Sequence, residues 1–347
     1  MLIRVVLLTV VFVCIVRSNK LIAQDIHFSQ IEYAPLNLNP GLSGAHSVIQ
    51  TNINYRSQWS SVTTAFNTIG VSIDGRLNET STNKKGIIAA GLNLFSDASG
   101  TNSVSTTKVN LNLAYHLLVN SNSKIGLGLY SGFGQRSIGI SNAQWGSQYL
   151  NGSYNSNYGT AEAIQNNQFI YFDAGAGAVY TYNSSDRYIN QNKQRMLNAG
   201  LAVYHVNRPI YSFINANNEQ LQMRWSGFIN GVIEVQNSKG ALAPGLYWNK
   251  QGPSSQIMYG SYFRISMVEA SKYTGRIKAF IYHIGLFHRW NDAIIIKNIL
   301  EWHTLSVGFS YDVNVSSLSR SSNLRGGFEL FLKYSLQSKH ISRSRIN

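Results

Sequence analysis

The sequence predicts an all-β fold: a transmembrane antiparallel β-barrel of about fourteen strands, preceded by a cleaved signal peptide and an extended lead segment. Three observations carry this reading. Stretches of roughly ten residues alternate apolar and polar side chains almost to the C-terminus, as strands with one lipid face do. Turns rich in Asn, Ser and Gly separate them. Charged residues make up only 13% of the chain against 44% hydrophobic, with 29 Gly and 20 Tyr, a balance that suits close-packed strands with interfacial aromatic rings.

The signal peptide is residues 1–23. Arg4 precedes an apolar run over 5–16, and Ala23 supplies the small residue before the cut. That run is too short for a spanning helix, which needs about 20 residues. The single cysteine, Cys14, leaves with it, so the mature chain forms no disulfide and relies on a closed hydrogen-bond ladder. The formal charge is +14, of which Arg4, Arg17 and Lys20 depart with the leader. For an exported chain the remaining excess fits anionic lipid, a cation-lined lumen or an acidic partner, and not nucleic acid.

Residues 24–46 contain Pro35 and Pro40 and show no clean alternation, which predicts an extended segment that plugs the lumen or docks a periplasmic partner. Its candidate docking residues are Asp25, His27, Phe28, Ser29, Gln30, Asn37, Asn39 and Pro40. Phe28, Tyr33, Leu36 and Leu38 are the apolar anchors expected in the barrel mouth. Asp25, His27, Gln30 and Glu32 match no metal-ligand spacing, and a hard-cation cage needs about six oxygens. Neither metal nor cofactor is expected.

The barrel spans 47–337. In the first strand, 48–59, Ile49, Thr51, Ile53 and Tyr55 oppose Gln50, Asn52, Asn54 and Arg56. Further candidate strands are 66–75, 86–96, 104–118, 124–136, 168–182, 196–207, 221–236, 241–249, 256–267, 277–290, 293–301, 305–315 and 326–336. Their number is even, as closure requires. With the N-terminus in the periplasm, connections after odd-numbered strands face outward and should be the longer ones. The longest, 137–167, follows the fifth strand, whereas 183–195, after the sixth, is long for a periplasmic turn. In the last strand Phe328, Leu330, Leu332, Tyr334 and Leu336 share a face, and Phe331 is the misfit opposite them. Residues 338–347 form a basic periplasmic tail.

Arg56 and Asp312 lie on the wet face near the outward ends of the first and thirteenth strands, and Glu329 near that end of the fourteenth. Strands about 4.8 Å apart bring Arg56 within reach of both acids across the closing seam, predicting a lumenal ion-pair cluster of Arg56, Asp312 and Glu329. Tyr115, Tyr130, Tyr180, Tyr182, Tyr204, Trp225, Trp248, Trp290 and Tyr334 fall toward strand ends, where amphipathic rings meet lipid and water. The runs Gly126-Leu-Gly128 and Gly132-Phe-Gly134 sit inside a strand and open no helix, so close backbone packing explains them, not a phosphate loop. His205 and His288 lie in no triad pattern, and no enzymatic activity is expected.

Four stretches resemble the PorP/SprF membrane proteins of the type IX secretion system of Bacteroidetes. They are Gln24-Asp-Ile-His-Phe-Ser-Gln30 with Pro35-Leu-Asn-Leu-Asn-Pro40 and Gly41-Leu-Ser-Gly44; Asn54-Tyr-Arg-Ser-Gln-Trp59; Gly200-Leu-Ala-Val-Tyr-His-Val-Asn-Arg-Pro209; and Gly308-Phe-Ser-Tyr-Asp-Val-Asn-Val-Ser-Ser-Leu318 with Gly326-Gly-Phe-Glu-Leu330. Ile26 departs from the proline usual in the first. The resemblance implies a non-enzymatic outer-membrane accessory of protein secretion and gliding motility. Such a barrel binds the sorting domain of a secreted surface protein as cargo, or anchors periplasmic machinery. Its alternative is a porin-like or fatty-acid-transporter-like passive channel. A soluble secreted sandwich is disfavoured because its outward faces would be polar.

Overall fold

A computed structural model of the chain describes residues 25–336 except 62–63, 79–85, 101–103, 140–143, 151, 160–166, 189–190, 214–218, 236–237, 269–277 and 317–318. The signal peptide, Gln24 and the basic tail lie outside the described residues. The strands are β1 (Ile49–Gln58), β2 (Phe66–Arg76), β3 (Gly86–Ser99), β4 (Val104–Leu118), β5 (Ser123–Ser137), the two-residue β6 (Tyr149–Leu150) and β7 (Ser153–Tyr154), β8 (Gln168–Tyr188), β9 (Gln191–Tyr204), β10 (Arg224–Glu234), β11 (Gly240–Gln251), β12 (Ser254–Val268), β13 (Phe280–Arg289), β14 (Ala293–Trp302), β15 (Leu305–Asn314) and β16 (Arg325–Leu336). All but β6 and β7 form one closed barrel of fourteen strands, every neighbour antiparallel, with β1 paired to β16 across the seam. The small β6–β7 hairpin belongs to the long connection after β5.

Period-two patterning sets which residues face lipid. Along β1 the side chains of Ile49 and Ile53 are exposed while Gln50, Asn52, Asn54 and Arg56 are buried inside. The same phase puts Leu111 and Leu113 of β4, Leu127 and Leu129 of β5, and Leu330 and Leu332 of β16 outside. With no water to satisfy them in a bilayer core, backbone amides and carbonyls must pair in the ladder, which closure achieves without leaving an edge. Among the described residues no helix is long and apolar enough to cross a membrane.

The long connection after the sixth candidate strand is in fact ladder. Pairing continues from Asn183↔Met196 to Tyr188↔Gln191, so β8 and β9 form a hairpin that runs past β5, whose last partner on β8 is Tyr182. The two longest connections, 138–167 and 205–223, lie at one end of the barrel, and β1 begins and β16 ends at the other.

The lead segment is not extended. It folds into helical turns at Ile31–Tyr33, Pro35–Leu38 and Pro40–Leu42, with Pro35 and Pro40 at positions where a missing N–H costs nothing. The physical reason is its location, because a chain enclosed by the barrel must satisfy its own backbone groups. Local bonds such as Leu38 N to Ala34 O (3.2 Å) and Leu42 N to Asn39 O (3.0 Å) do so. The segment also reaches beyond the mouth, running from Asp25 beside Gln251 at one rim to Ala45 beside Lys124 at the other.

Around it lies the core. Phe28, Ile31, Leu38 and Leu42 of the segment pack with Phe228, Tyr247, Met258, Tyr262, Phe287, Ile295, Ile299 and Phe331 of the wall. The inner faces of β10 to β16 thus carry a cluster of apolar side chains among their buried polar and charged ones. Phe331, the misfit of the last strand, stacks on Tyr33 with ring centroids 3.7 Å apart and planes 13° from parallel. Gly308, opposite Phe331 in the β15–β16 register, leaves the room its ring occupies.

Candidate functional site

The residues that the sequence pattern singles out meet inside the barrel, where the wall grips the lead segment. At the seam, Arg56 of β1 lies opposite Glu329 of β16 in the ladder. Its guanidinium contacts the Glu329 carboxylate and stands 3.2 Å from Asp312 of β15. Arg289, from the end of β13, joins them 3.0 Å from Asp312 and 2.9 Å from Asp292. Arg56, Arg289, Asp312 and Glu329 are each 2% exposed or less, so these charges are tolerated only because opposite charges stand against one another.

The segment completes that partnership. Gln30 N donates to Glu329 Oε2 at 2.8 Å, Ser29 N donates to the other carboxylate oxygen, and Gln30 Nε2 donates to the Glu329 carbonyl at 3.3 Å. Ser29 Oγ donates to Asp312 at 2.7 Å and accepts from Arg56 at 2.5 Å and from Arg289. Ser29 thus spends its one hydroxyl proton and both lone pairs on three strands.

A second cluster holds Asp25 toward the long-connection end. Lys108 Nζ lies 3.0 Å from Asp25, His205 Nε2 2.8 Å, and Arg224 Nε 3.6 Å. His205 Nδ1 faces Asp173 at 2.8 Å, and Tyr130 donates to the same carboxylate oxygen at 2.9 Å. A cavity of about 190 Å³ opens beside Asp25 and His27, lined also by Gln251, Arg289 and Asp292. Burial raises the Asp25 carboxyl, but Lys108, His205 and Arg224 outweigh it and hold the group well below the usual carboxylate range. For His27, burial and the nearby Arg56 and Arg289 push the imidazole well below its ordinary value, against the pull of Asp312.

The remaining candidates are held along the lumen. Asn37 accepts from Asn93 at 2.6 Å, and its carbonyl accepts from Arg224 at 3.2 Å. Asn39 Nδ2 donates to the carbonyls of Ala178 (3.1 Å) and Leu201 (2.9 Å) while its Oδ1 accepts from Gly41 N. Pro40 and Gly41 lie against Gly128 and Gly177, which face each other across β5 and β8. A Cβ on either glycine would run into the segment, so the glycine run in β5 answers to close approach. Lys297 reaches Glu32 at 2.9 Å, and Asp74, Arg76 and His116 bind the backbone of 43–44.

Pattern reading missed Arg289, Lys297, and the Lys108, Asp173 and His205 cluster. The signal was present: in β4, β8, β13 and β14 these charges sit on the inward phase, opposite lipid-facing Val109, Phe172, His288 and Ile296, and an inward charge on a spanning strand needs a partner. Tyr130 and Tyr204, expected in the girdle, point inward, where Tyr204 OH donates to the Leu36 carbonyl at 3.2 Å. Tyr115, Tyr180, Trp225, Trp290 and Tyr334 do face outward.

His27 and His46 give the docked segment a pH dependence. His46, below the plug, is pushed down to about 3, by burial first and then by Lys124, Lys333, His116 and Arg76. An imidazole whose docked value lies below its free value of about 6.5 costs nothing above that pH and opposes docking progressively on acidification, because the freed segment binds the proton more readily. His27 acts in the same direction. We expect amide protection in 25–45 to fall between pH 6.5 and about 3 while strands remote from the seam, such as β4 and β5, stay protected. Hydrogen exchange on the purified barrel, corrected for intrinsic rates, measures this.

All four stretches of family likeness thus contribute to one structure: Asp25 to Gln30 from the first, Arg56 from the second, Tyr204 and His205 from the third, Asp312 and Glu329 from the fourth. Among solved structures, BamA from Haemophilus ducreyi lacking POTRA domains 1–3 is similar at 9% identity, TM-score 0.42, over 83% of this chain and 70% of that one. CdiB from Escherichia coli is similar at 9% identity, TM-score 0.43, over 83% of this chain and 63% of that one. The beta domain of the Bordetella autotransporter BrkA is similar at 8% identity, TM-score 0.36, over 84% and 100%. No curated protein matches significantly. The family described as type IX secretion system membrane protein PorP/SprF matches residues 21–334, and this chain belongs to it.

Proposed function

We propose that the chain is a non-enzymatic outer-membrane accessory of type IX secretion that binds the sorting domain of a secreted protein as cargo, on the face carrying the long connections. The observation that carries this reading is the filled lumen. Segment 25–45 occupies the space through which a porin or fatty-acid transporter would pass solute, and buried aromatic and aliphatic side chains seal it to the wall. A barrel so filled works through its surfaces. The closed apolar belt, together with the family, supports placement in the outer membrane with both strand termini toward the periplasm.

A second reading, anchoring of periplasmic machinery, draws on the β8–β9 hairpin. Its last pairs, from Ser184↔Arg195 to Tyr188↔Gln191, extend past β5 at the termini-bearing end by about 17 Å at 3.3–3.4 Å per residue. Affinity capture of the tagged full-length chain from detergent-solubilised outer membranes is expected to recover a secreted protein and type IX components. Shortening 138–167 should lose the first, and trimming the hairpin the second. Steady single-channel current from the purified barrel, with neither partner captured, would overturn both readings in favour of the channel.

A further inference from the structure

We propose that Ser29 and Gln30 are the pin of the barrel's closing seam, and that β1 and β16 pair stably only with the lead segment seated. The seam joins the first strand to the last, the most distant pairing in the chain, and its inner face carries Arg56 directly opposite Glu329. Neither charge is satisfied by the seam alone. The Glu329 carboxylate takes the backbone N–H groups of Ser29 and Gln30, and Arg56 shares Ser29 Oγ with Arg289 and Asp312. One dipeptide therefore ties β1, β13, β15 and β16 to one another.

Topology makes the same demand. Asp25 is held by Arg224 and Gln251 at the rim with the long connections, and Ala45 accepts from Lys124 at the other rim. Between them Pro40 and Gly41 press on the backbone of β5 and β8. A segment wedged along the whole lumen does not slide in end-on after closure. It is enclosed as the sheet curls, and the last strands close onto it.

The test uses the full-length chain with Ser29→Pro, which removes both the backbone donor and the hydroxyl shared by Arg56, Arg289 and Asp312, and Glu329→Gln, which weakens the acceptor from the other side. Hydrogen exchange in detergent compares β1 and β16 with β4 and β5, far from the seam. Losing a hydrogen bond to a buried charge is expected to speed seam exchange roughly ten- to hundredfold relative to β4–β5 in both variants. A seam-to-β4–β5 ratio equal to the parent's, whether because nothing changes or because every strand loosens together, overturns the proposal. Pulse-labelled refolding of the parent gives an independent readout. Amides of 29–38 should gain protection no later than those of β1 and β16, and a seam protected ahead of the segment is the contrary result. Neither measurement depends on which partner the barrel binds.

Discussion

Replacing Gly128 with valine is expected to displace the 35–45 stretch of the lumenal segment, with Ser29 and Gln30 still on the seam, and turn a sealed barrel into a conducting one. A Cβ at this position would lie 2.6 Å from Gly41 Cα and closer still to the Gly41 nitrogen and the Pro40 carbonyl carbon. These are backbone atoms, which no side-chain rotation can move aside. Overpacking of a tight core typically costs about 1–3 kcal/mol when side chains can adjust, and more is expected here. The segment and the strand cannot both keep their places, and the strand is held by ladders on two sides. The segment gives way. Planar-bilayer recording should show ion current from the valine variant and none from the parent, with amide protection lost in 35–45. A silent variant with parental protection would mean that the glycine pair does not seat the segment. Asn39, whose Oδ1 lies against the position a Cβ would take on Gly177, predicts the same outcome for that residue.

The second large effect is expected from Arg56→Ala. The buried group balances two guanidinium groups, Arg56 and Arg289, against the carboxylates of Asp312 and Glu329. Deleting Arg56 leaves Glu329 without its ion-pair partner in a site only 2% exposed. Breaking a buried pair in this way costs about 3–5 kcal/mol, far more than an exposed pair is worth. The urea midpoint of the purified barrel should fall accordingly. Arg56→Lys should recover only part of the loss, because an ammonium does not reproduce the fork that meets two acids and a hydroxyl. Adding Glu329→Gln to Arg56→Met removes both charges while keeping an acceptor for the N–H groups of Ser29 and Gln30, and should be milder than Arg56→Met alone; the double-mutant cycle with Glu329→Gln measures the coupling. Equal midpoints for parent and Arg56→Ala would show that the cluster does not stabilise the barrel.

The outer surface was legible in the sequence, and the interior was less so, for a reason that lies in the physics of each. Lipid imposes one rule on every outward position, so Ile49, Leu111 and Leu330 announce their strands without reference to any other residue. Fourteen strands and their antiparallel order follow, with ends within a few residues except at the β8–β9 hairpin. There the polar run from Asn183 to Arg195 breaks the alternation because the hairpin continues past β5. Inward positions obey no shared rule, since each answers to whichever part of the segment lies beside it. Phe331 looks wrong until Tyr33 is placed on it, and Gly308 has no evident purpose until Phe331 is there. Arg56, Asp312 and Glu329 could be brought together because all three belong to the seam, where strand adjacency is known from closure alone. Arg289 and Lys297 are legible as inward charges, but their partners Ser29 and Glu32 needed the path of residues 25–45, which alternation does not encode. Its helical turns escaped for the same reason, as Pro35 and Pro40 mark an interruption of strand and do not by themselves name what replaces it.

The route of the segment has a consequence for the sidedness of the molecule. Val48 leads into the first strand at the rim where Leu336 ends the last, yet Asp25 sits with Arg224 and Gln251 at the opposite rim. Asp25 and Leu336 therefore stand at opposite rims of the barrel. In the proposed orientation, an epitope spliced ahead of Asp25 would be displayed to antibody on intact cells, whereas one appended to the other extremity would stay hidden, an asymmetry that an even count of strands alone would never produce.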